Sequence, residues 1–263
     1  MLYIYVRVDR PNTTQFVIHA SMAVVEYWLI FVDSPGAPEI NFYDNTSRCW
    51  FEPGTKTTSP NVELFYIVQL SIWIVTCFSH RFIEARHKDY YQMYIHHIVT
   101  IGLMAGSWMF GYMRIGVLVL IIHDASDVPL DLMKMANYLK LEGPKSFFIV
   151  EIAFITCLIS WAYGRLFIYP TKALFTAAFE SIIEAREGIT ATAYQTMETS
   201  DFLDVAFNMP GWLSCNILLN VLFVLHIFWF YLLVKIAFKL VTGKKAHTAG
   251  EEEYEGQSTD EEA

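Results

Sequence analysis

Charge is scarce in this chain. Lys, Arg, Asp and Glu make up 17% of its 263 residues, against 54% hydrophobic residues and a mean hydropathy of +0.35. A soluble domain carries about 25% charged residues, so the balance weighs against one large or two small soluble domains. The net charge of −9 offers nothing to nucleic acid, yet seven of the acids lie in the terminal stretch "EEEYEGQSTDEEA", so that charge belongs to a tail and not to the body. Cysteine is equally sparse: of Cys49, Cys77, Cys157 and Cys215, only Cys49 stands well outside an apolar run. A disulfide framework is thereby excluded, and a Cys49–Cys215 bridge is the one pairing left open, if both face the lumen. The chain has no internal repeat, no Gly-rich phosphate loop and no zinc-type cysteine cluster. No stretch joins a basic segment, a short apolar core and a small-residue cleavage site, so the first apolar run is expected to direct insertion itself.

What the chain has in abundance is long apolar windows. Runs of roughly 18 to 25 residues suffice to cross about 30 Å of hydrocarbon as helices. Six occur, at about 13–32, 61–80, 95–112, 115–131, 146–168 and 212–236. The expected fold is an all-α polytopic membrane protein of about six transmembrane helices. With the N-terminus cytoplasmic, twelve basic residues fall on that side, and six (Arg48, Lys56, Arg114, Arg165, Lys172 and Arg186) on the other. That asymmetry matches the positive-inside rule and places both termini in the cytoplasm.

The connection "DSPGAPEINFYDNTSRCWFEPGTKTTSP" is rich in turn residues and lies on the luminal side, where Asn45-Thr46-Ser47 forms a glycosylation acceptor. Residues from about 169 to 211 read as a partly helical luminal loop. The tail shifts from basic to acidic without apolar periodicity, as a disordered segment does, and offers Ser258 and Thr259 to an acidophilic kinase.

The stretch "YIHHIVTIGLMAGSWMFGYMRIGVLVLIIHDASDVPLDLMK" sets three His and three Asp among apolar residues. An aspartate at the centre of a membrane helix costs on the order of 2.5 to 3.5 kcal/mol, and intramembrane ionisable residues default to function. His96 and His97 open the third span, pointing about 100° apart, so one aims at a given centre while the second orients it or serves a neighbour. Asp124, Asp127 and Asp131 share one helix stripe at i, i+3 and i+7, His123 reaches Asp127 at i+4, and Lys134 pairs with Asp131. Because the third span runs inward to outward and the fourth returns, the His pair and the Asp cluster meet near the cytoplasmic face. Pro129 removes a backbone donor beside the acids, which kinks the helix or ends it. Gly102 and Gly106 let a neighbouring helix approach closely. The eight His of the chain are scattered, without the HxxHH boxes of a di-iron centre, and no metal is expected.

The ordered set HH, SW, R-I-G, HDxSD and K-x-x-NY in "HHIVTIGLMAGSWMFGYMRIGVLVLIIHDASDVPLDLMKMANY" resembles the signature of ceramide synthases in the TLC-domain superfamily, and the likeness runs from about Thr13 to Lys245. Gly111 departs from the family's usual Asn, and Val128–Pro129 replaces bulkier residues. The family carries a further N-terminal span, so the resemblance implies that this chain is N-terminally short. It also implies a short cytoplasmic N-terminus (1–12), a TLC-type catalytic bundle (13–245) and an acidic tail (246–263) in the endoplasmic reticulum membrane. The implied activity is transfer of the acyl group of a fatty acyl-CoA to the amine of a sphingoid base, with no cofactor beyond that co-substrate. His96, His97, Asp124 and Asp127 would be catalytic; His123, Trp108, Asn137 and Asn216 would line the substrates. A neutral His can take the amine's proton or attack the thioester itself, and the carboxylates can hold the ammonium or orient an imidazole. Homo- or hetero-oligomers are compatible with the reading. The alternative is a lipid-binding TLC protein without catalysis, which needs the fold but not the His pair.

Overall fold

A computed structural model of the protein describes residues 10–33, 43–50, 59–83, 89–139, 141, 147–182, 204 and 207–242. The expectations for the N-terminal residues 1–9, the acidic tail and its Ser258 and Thr259 lie outside them. Six long helices stand where the apolar windows lie: α1 (Arg10–Phe31), α2 (Pro60–Phe82), α3 (Tyr90–Phe110), α4 (Met113–Tyr138), α5, which starts at Ile149–Trp161, and α6 (Trp212–Val241). Four of them are long and apolar enough to cross a membrane: Thr13–Phe31, Pro60–Phe82, Ile149–Glu180 and Trp212–Leu240. The other two, α3 and α4, carry the His pair and the Asp stripe. The protein is an all-helical polytopic membrane protein.

Local chemistry fixes the helix ends. Ser59 caps α2 by accepting from the Asn61 amide at 3.3 Å, with Pro60 in the first turn where its missing N–H costs nothing. Asp33, just past α1, accepts from Ser59 Oγ at 3.0 Å and Asn61 Nδ2 at 3.2 Å, which locks the α1–α2 connection. Gly111 ends α3 at φ +78°, a left-handed conformation that Gly adopts freely. Helix α4 runs through Pro129 without ending there.

One expectation is corrected in α5. Residues 169–182 are helical and continue α5, so the connection expected from about 169 as a partly helical loop starts later than that; residues 183–203 lie outside the described ones. Beyond Trp161 the winding widens to π-helix over Ala162–Leu174 and Thr176–Glu180, with Pro170 withholding a donor from the ladder. Trp161, Arg165, Tyr169, Ala173, Ala177 and Ser181 recur every fourth residue, and each is at most 3% exposed. An α-helix turns such a stripe by about 40° at every step; the wider winding keeps it facing the core.

Helix α1 lies along α4, α2 against α3, and α3 against α6. Gly102 and Gly106 do face α6, at contact distance from Leu218 and Cys215. The far end of the bundle is closed by the turn Thr46–Cys49: Thr46 donates to Glu180 at 2.6 Å and Trp50 Nε1 to Thr176 Oγ1 at 2.7 Å. Asn45 beside it is exposed. Cys49 and Cys215 are both free thiols, so the bridge left open by the sequence is not made, and burial pushes the Cys49 thiol up.

Where α2 crosses α4, Tyr66 donates to the Met113 carbonyl at 3.0 Å directly over Gly116, whose Cβ, if present, would overlap the phenol. Gly116→Ala is expected to displace Tyr66 and cost about 1–3 kcal/mol. Thermal unfolding in detergent would read this as a fall in midpoint, partly recovered by adding Tyr66→Phe.

Candidate active site

At the end of the bundle shared by the start of α3 and the end of α4, a polar cavity is lined by His19, Gln69, Trp73, His96, His97, Asp124, Asp127, Asp131, Lys134, Trp161, Arg165 and Trp229, among others. A second, apolar cavity extends toward the far end between Trp50, Tyr66, Thr100, Leu103, Met104, Ile115, Leu219 and Leu222. Trp73 lines both, and His123 lines the second.

His96 and His97 are buried, at 7% and 5% exposure, yet both line the polar cavity. Aromatic edges hold the His96 ring: Trp73 at 5.4 Å and Trp229 at 5.4 Å between ring centres, with His123 stacked at 6.4 Å. His96 Nδ1 has no hydrogen-bond partner among the described residues. The carboxylates therefore do not orient this imidazole; tryptophans do. His97 packs against the same Trp73 at 5.6 Å.

The three aspartates share a stripe, as their spacing predicts, but each has a different partner. Asp127 Oδ1 meets the Arg165 guanidinium at 2.6 Å. Asp131 accepts from His19 Nδ1 at 2.7 Å, and Lys134 stands farther off at 3.9 Å. Asp124 Oδ2 accepts from the Gln69 amide at 2.9 Å. Among the described residues Asp127 and Asp131 each have a cationic or ionisable nitrogen as partner, whereas Asp124 has a neutral amide. Donor atoms of His19, Asp124 and Asp127 lie within 4.8 Å of one another, a convergence that would attract any compact cation.

The expected His123–Asp127 contact is not made. His123 Nδ1 turns back to the Val119 carbonyl at 2.7 Å, and its Nε2 faces His226 Nε2 at 2.9 Å. A carbonyl only accepts, so His123 carries its proton on Nδ1; with both rings neutral, His226 donates from Nε2. Arg165 completes the cluster. Its Nε donates to Ser126 Oγ at 2.7 Å, one terminal nitrogen to the His123 carbonyl at 3.2 Å, and its plane lies 4.1 Å from the Trp161 ring centre.

Of the other expected positions, Asn216 lines the apolar cavity, and its Nδ2 donates to the carbonyls of Trp212 and Ala177 at 2.9 and 3.2 Å. Trp108 is 45% exposed near the far end of α3, and Asn137 sits near the end of α4; neither lines the two cavities. The sequence reading missed His19, Gln69, Arg165 and His226. Arg165 was assigned to the luminal face because its span was ended near 168; in the structure it is 2% exposed and holds the site together. His19 and His226 were set aside for their distance in sequence. Being ionisable inside an apolar window was the signal available for His19, Arg165 and His226, and being polar there the signal for Gln69.

The chain matches the TLC domain over residues 9–235. It is 31% identical to ceramide synthase hyl-2 of Caenorhabditis elegans over 208 residues, covering 77% of this chain and 56% of that protein. It is 30% identical to ceramide synthase 5 of Homo sapiens over 198 residues (75% and 44%), and 29% identical to ceramide synthase 1 LOH3 of Arabidopsis thaliana over 229 residues (81% and 67%). The chain spans about half the length of the first two relatives.

Proposed function

Because the chain belongs to the TLC-domain family, and the relatives it matches are ceramide synthases, we propose that it joins the acyl group of a fatty acyl-CoA to the amine of a sphingoid base in the endoplasmic reticulum membrane. The observation that carries the reading is the shared wall at Trp73: it lines both a polar chamber that holds His96 and Asp124 and a cavity walled mainly by apolar side chains.

The amine arrives as an ammonium and needs a negative partner. Asp127 and Asp131 are engaged by Arg165 and His19, which leaves Asp124 as the seat for the new cation. His96, unpartnered at Nδ1 and within the same chamber, takes the proton that frees the amine for attack, or itself attacks the thioester first. The acyl chain lies in the apolar cavity, where each methylene contributes about 0.8 kcal/mol, so preference for a length requires a physical stop. Trp212, Cys215, Asn216 and Leu219 of α6 line that cavity and supply the stop.

The test is reconstitution of purified protein with a sphingoid base and a panel of acyl-CoAs. N-acylated product is expected; its absence in folded protein would sink the reading. Leu219→Trp is expected to shift the products toward shorter chains at retained turnover. An unchanged distribution would place the stop elsewhere.

A further inference from the structure

Seven residues beyond His19, and so on the same face of α1, Glu26 is wholly buried at 0% exposure. Its Oε1 is 3.3 Å from Gln69 Nε2, the amide nitrogen that also donates to Asp124 Oδ2 at 2.9 Å. One neutral nitrogen thus serves two carboxyl groups, and these lie within side-chain hydrogen-bond reach of each other. Glu26 Oε2 is buried without any donor among the described residues. Two carboxylates in so dry a place would repel, and the orphan oxygen would lack a hydrogen bond. A single proton removes both costs, because a carboxylic acid donates where a carboxylate cannot.

We propose that Glu26 is a neutral carboxylic acid that donates its proton in a hydrogen bond to Asp124, and thereby acts as a positioning residue that keeps Asp124 ionised for the substrate ammonium. Asp124 lines the polar cavity and Glu26 does not, so the proton belongs to the deeper member and the charge to the member that meets substrate. Asp124 then holds two donors, the Gln69 amide and the Glu26 hydroxyl, as a working carboxylate requires. The pairing supports the assignment. Asp127 faces Arg165 and Asp131 faces His19 and Lys134, so with Glu26 neutral Asp124 is the carboxylate lining the cavity that has no cation within ion-pair distance among the described residues, and it is free to meet one ammonium. The titratable groups around the pair are Tyr66 of α2, His19 of α1, and Asp127 of α4.

The role rests on the N-acylation reading, but the protonation is testable without it. Infrared spectra of the wild-type protein near pH 8 are expected to contain a carboxylic-acid carbonyl band that shifts in D2O and vanishes in Glu26→Gln. In kinetics, Glu26→Gln keeps a neutral donor and should lower kcat/KM for the sphingoid base by only about threefold. Glu26→Leu removes the donor and should lower it on the order of 10- to 100-fold. In Glu26→Leu the acid limb of the pH profile should also move to higher pH, because Asp124 then takes up its proton more readily, while KM for acyl-CoA stays unchanged. Absence of the band in wild-type protein, a Gln variant as impaired as the Leu variant, or an unmoved acid limb would overturn the proposal. Should the Leu variant fail to fold, the band and the Gln variant decide alone. A protein that shows the band yet acylates no base would sink the proposed function and leave the neutral Glu26 standing.

Discussion

Replacing His96 by Asn, Gln or Lys is expected to leave the protein inserted and folded while lowering turnover by roughly 10²- to 10⁴-fold, the range for loss of general acid–base catalysis. Asn and Gln keep hydrogen-bonding capacity without basicity, and Lys keeps a cation that holds its proton at neutral pH. The ring is held by the edges of Trp73 and Trp229, so its loss leaves no stranded carboxylate, and the defect should appear in kcat with little change in stability. Incubation with acyl-CoA alone then separates the two chemical schemes. A stoichiometric burst of CoA with an added acyl mass, absent in His96→Asn and discharged by the sphingoid base, would establish a covalent acyl-imidazole. Neither signal in an active enzyme would favour direct attack by the amine. Near wild-type turnover in a His96→Ala, His97→Ala double variant would end the enzyme reading.

The largest loss of stability is expected at Arg165. Arg165→Met removes the charge that faces Asp127 at 2.6 Å and the donors to Ser126 and the His123 carbonyl, in a side chain almost wholly buried. Breaking a buried pair by removing one partner costs about 3–5 kcal/mol, chiefly because the other charge is left uncompensated. Adding Asp127→Asn should therefore recover much of the unfolding midpoint in detergent. Activity should not return with it, since Arg165 also anchors the backbone that carries His123. A double variant no more stable than Arg165→Met alone would show that the guanidinium stabilises through packing on Trp161 and not through its charge.

Most of the architecture was legible in the sequence, because apolar windows long enough to span a bilayer leave little alternative to helices. The His pair and the Asp stripe were legible for a related reason: ionisable residues stand out against hydrocarbon. Their partners were not. Periodicity reports which residues share a face of one helix; it cannot report that Asp131 turns to His19, 112 residues away, and not chiefly to Lys134 one turn on. For the same reason His123 read as a neighbour of Asp127, whereas the helix gives its ring to Val119 and α6 brings His226 to the other side. Arg165 was hidden by a different cause. The fifth apolar window ends near 168, where Pro170, Thr171 and Lys172 interrupt the run, and the guanidinium then falls near the boundary of a loop.

That fourfold recurrence has a genetic consequence. Along Ala162–Glu180 the fit to the core depends on how many residues fill each turn more than on which residues they are, since the inward positions range from Arg165 to Ala177. Loss of a single codon between 166 and 168 would rotate everything downstream by about 90°, a quarter of a turn at four residues per turn, relative to Arg165. Tyr169, Ala173 and Ser181 would swing toward lipid, and the seat of Trp50 on Thr176 would be lost. Missense changes on the outer side of this segment should thus be borne far better than one-residue deletions, a contrast that a deep mutational scan including in-frame deletions would display as a narrow band of intolerance.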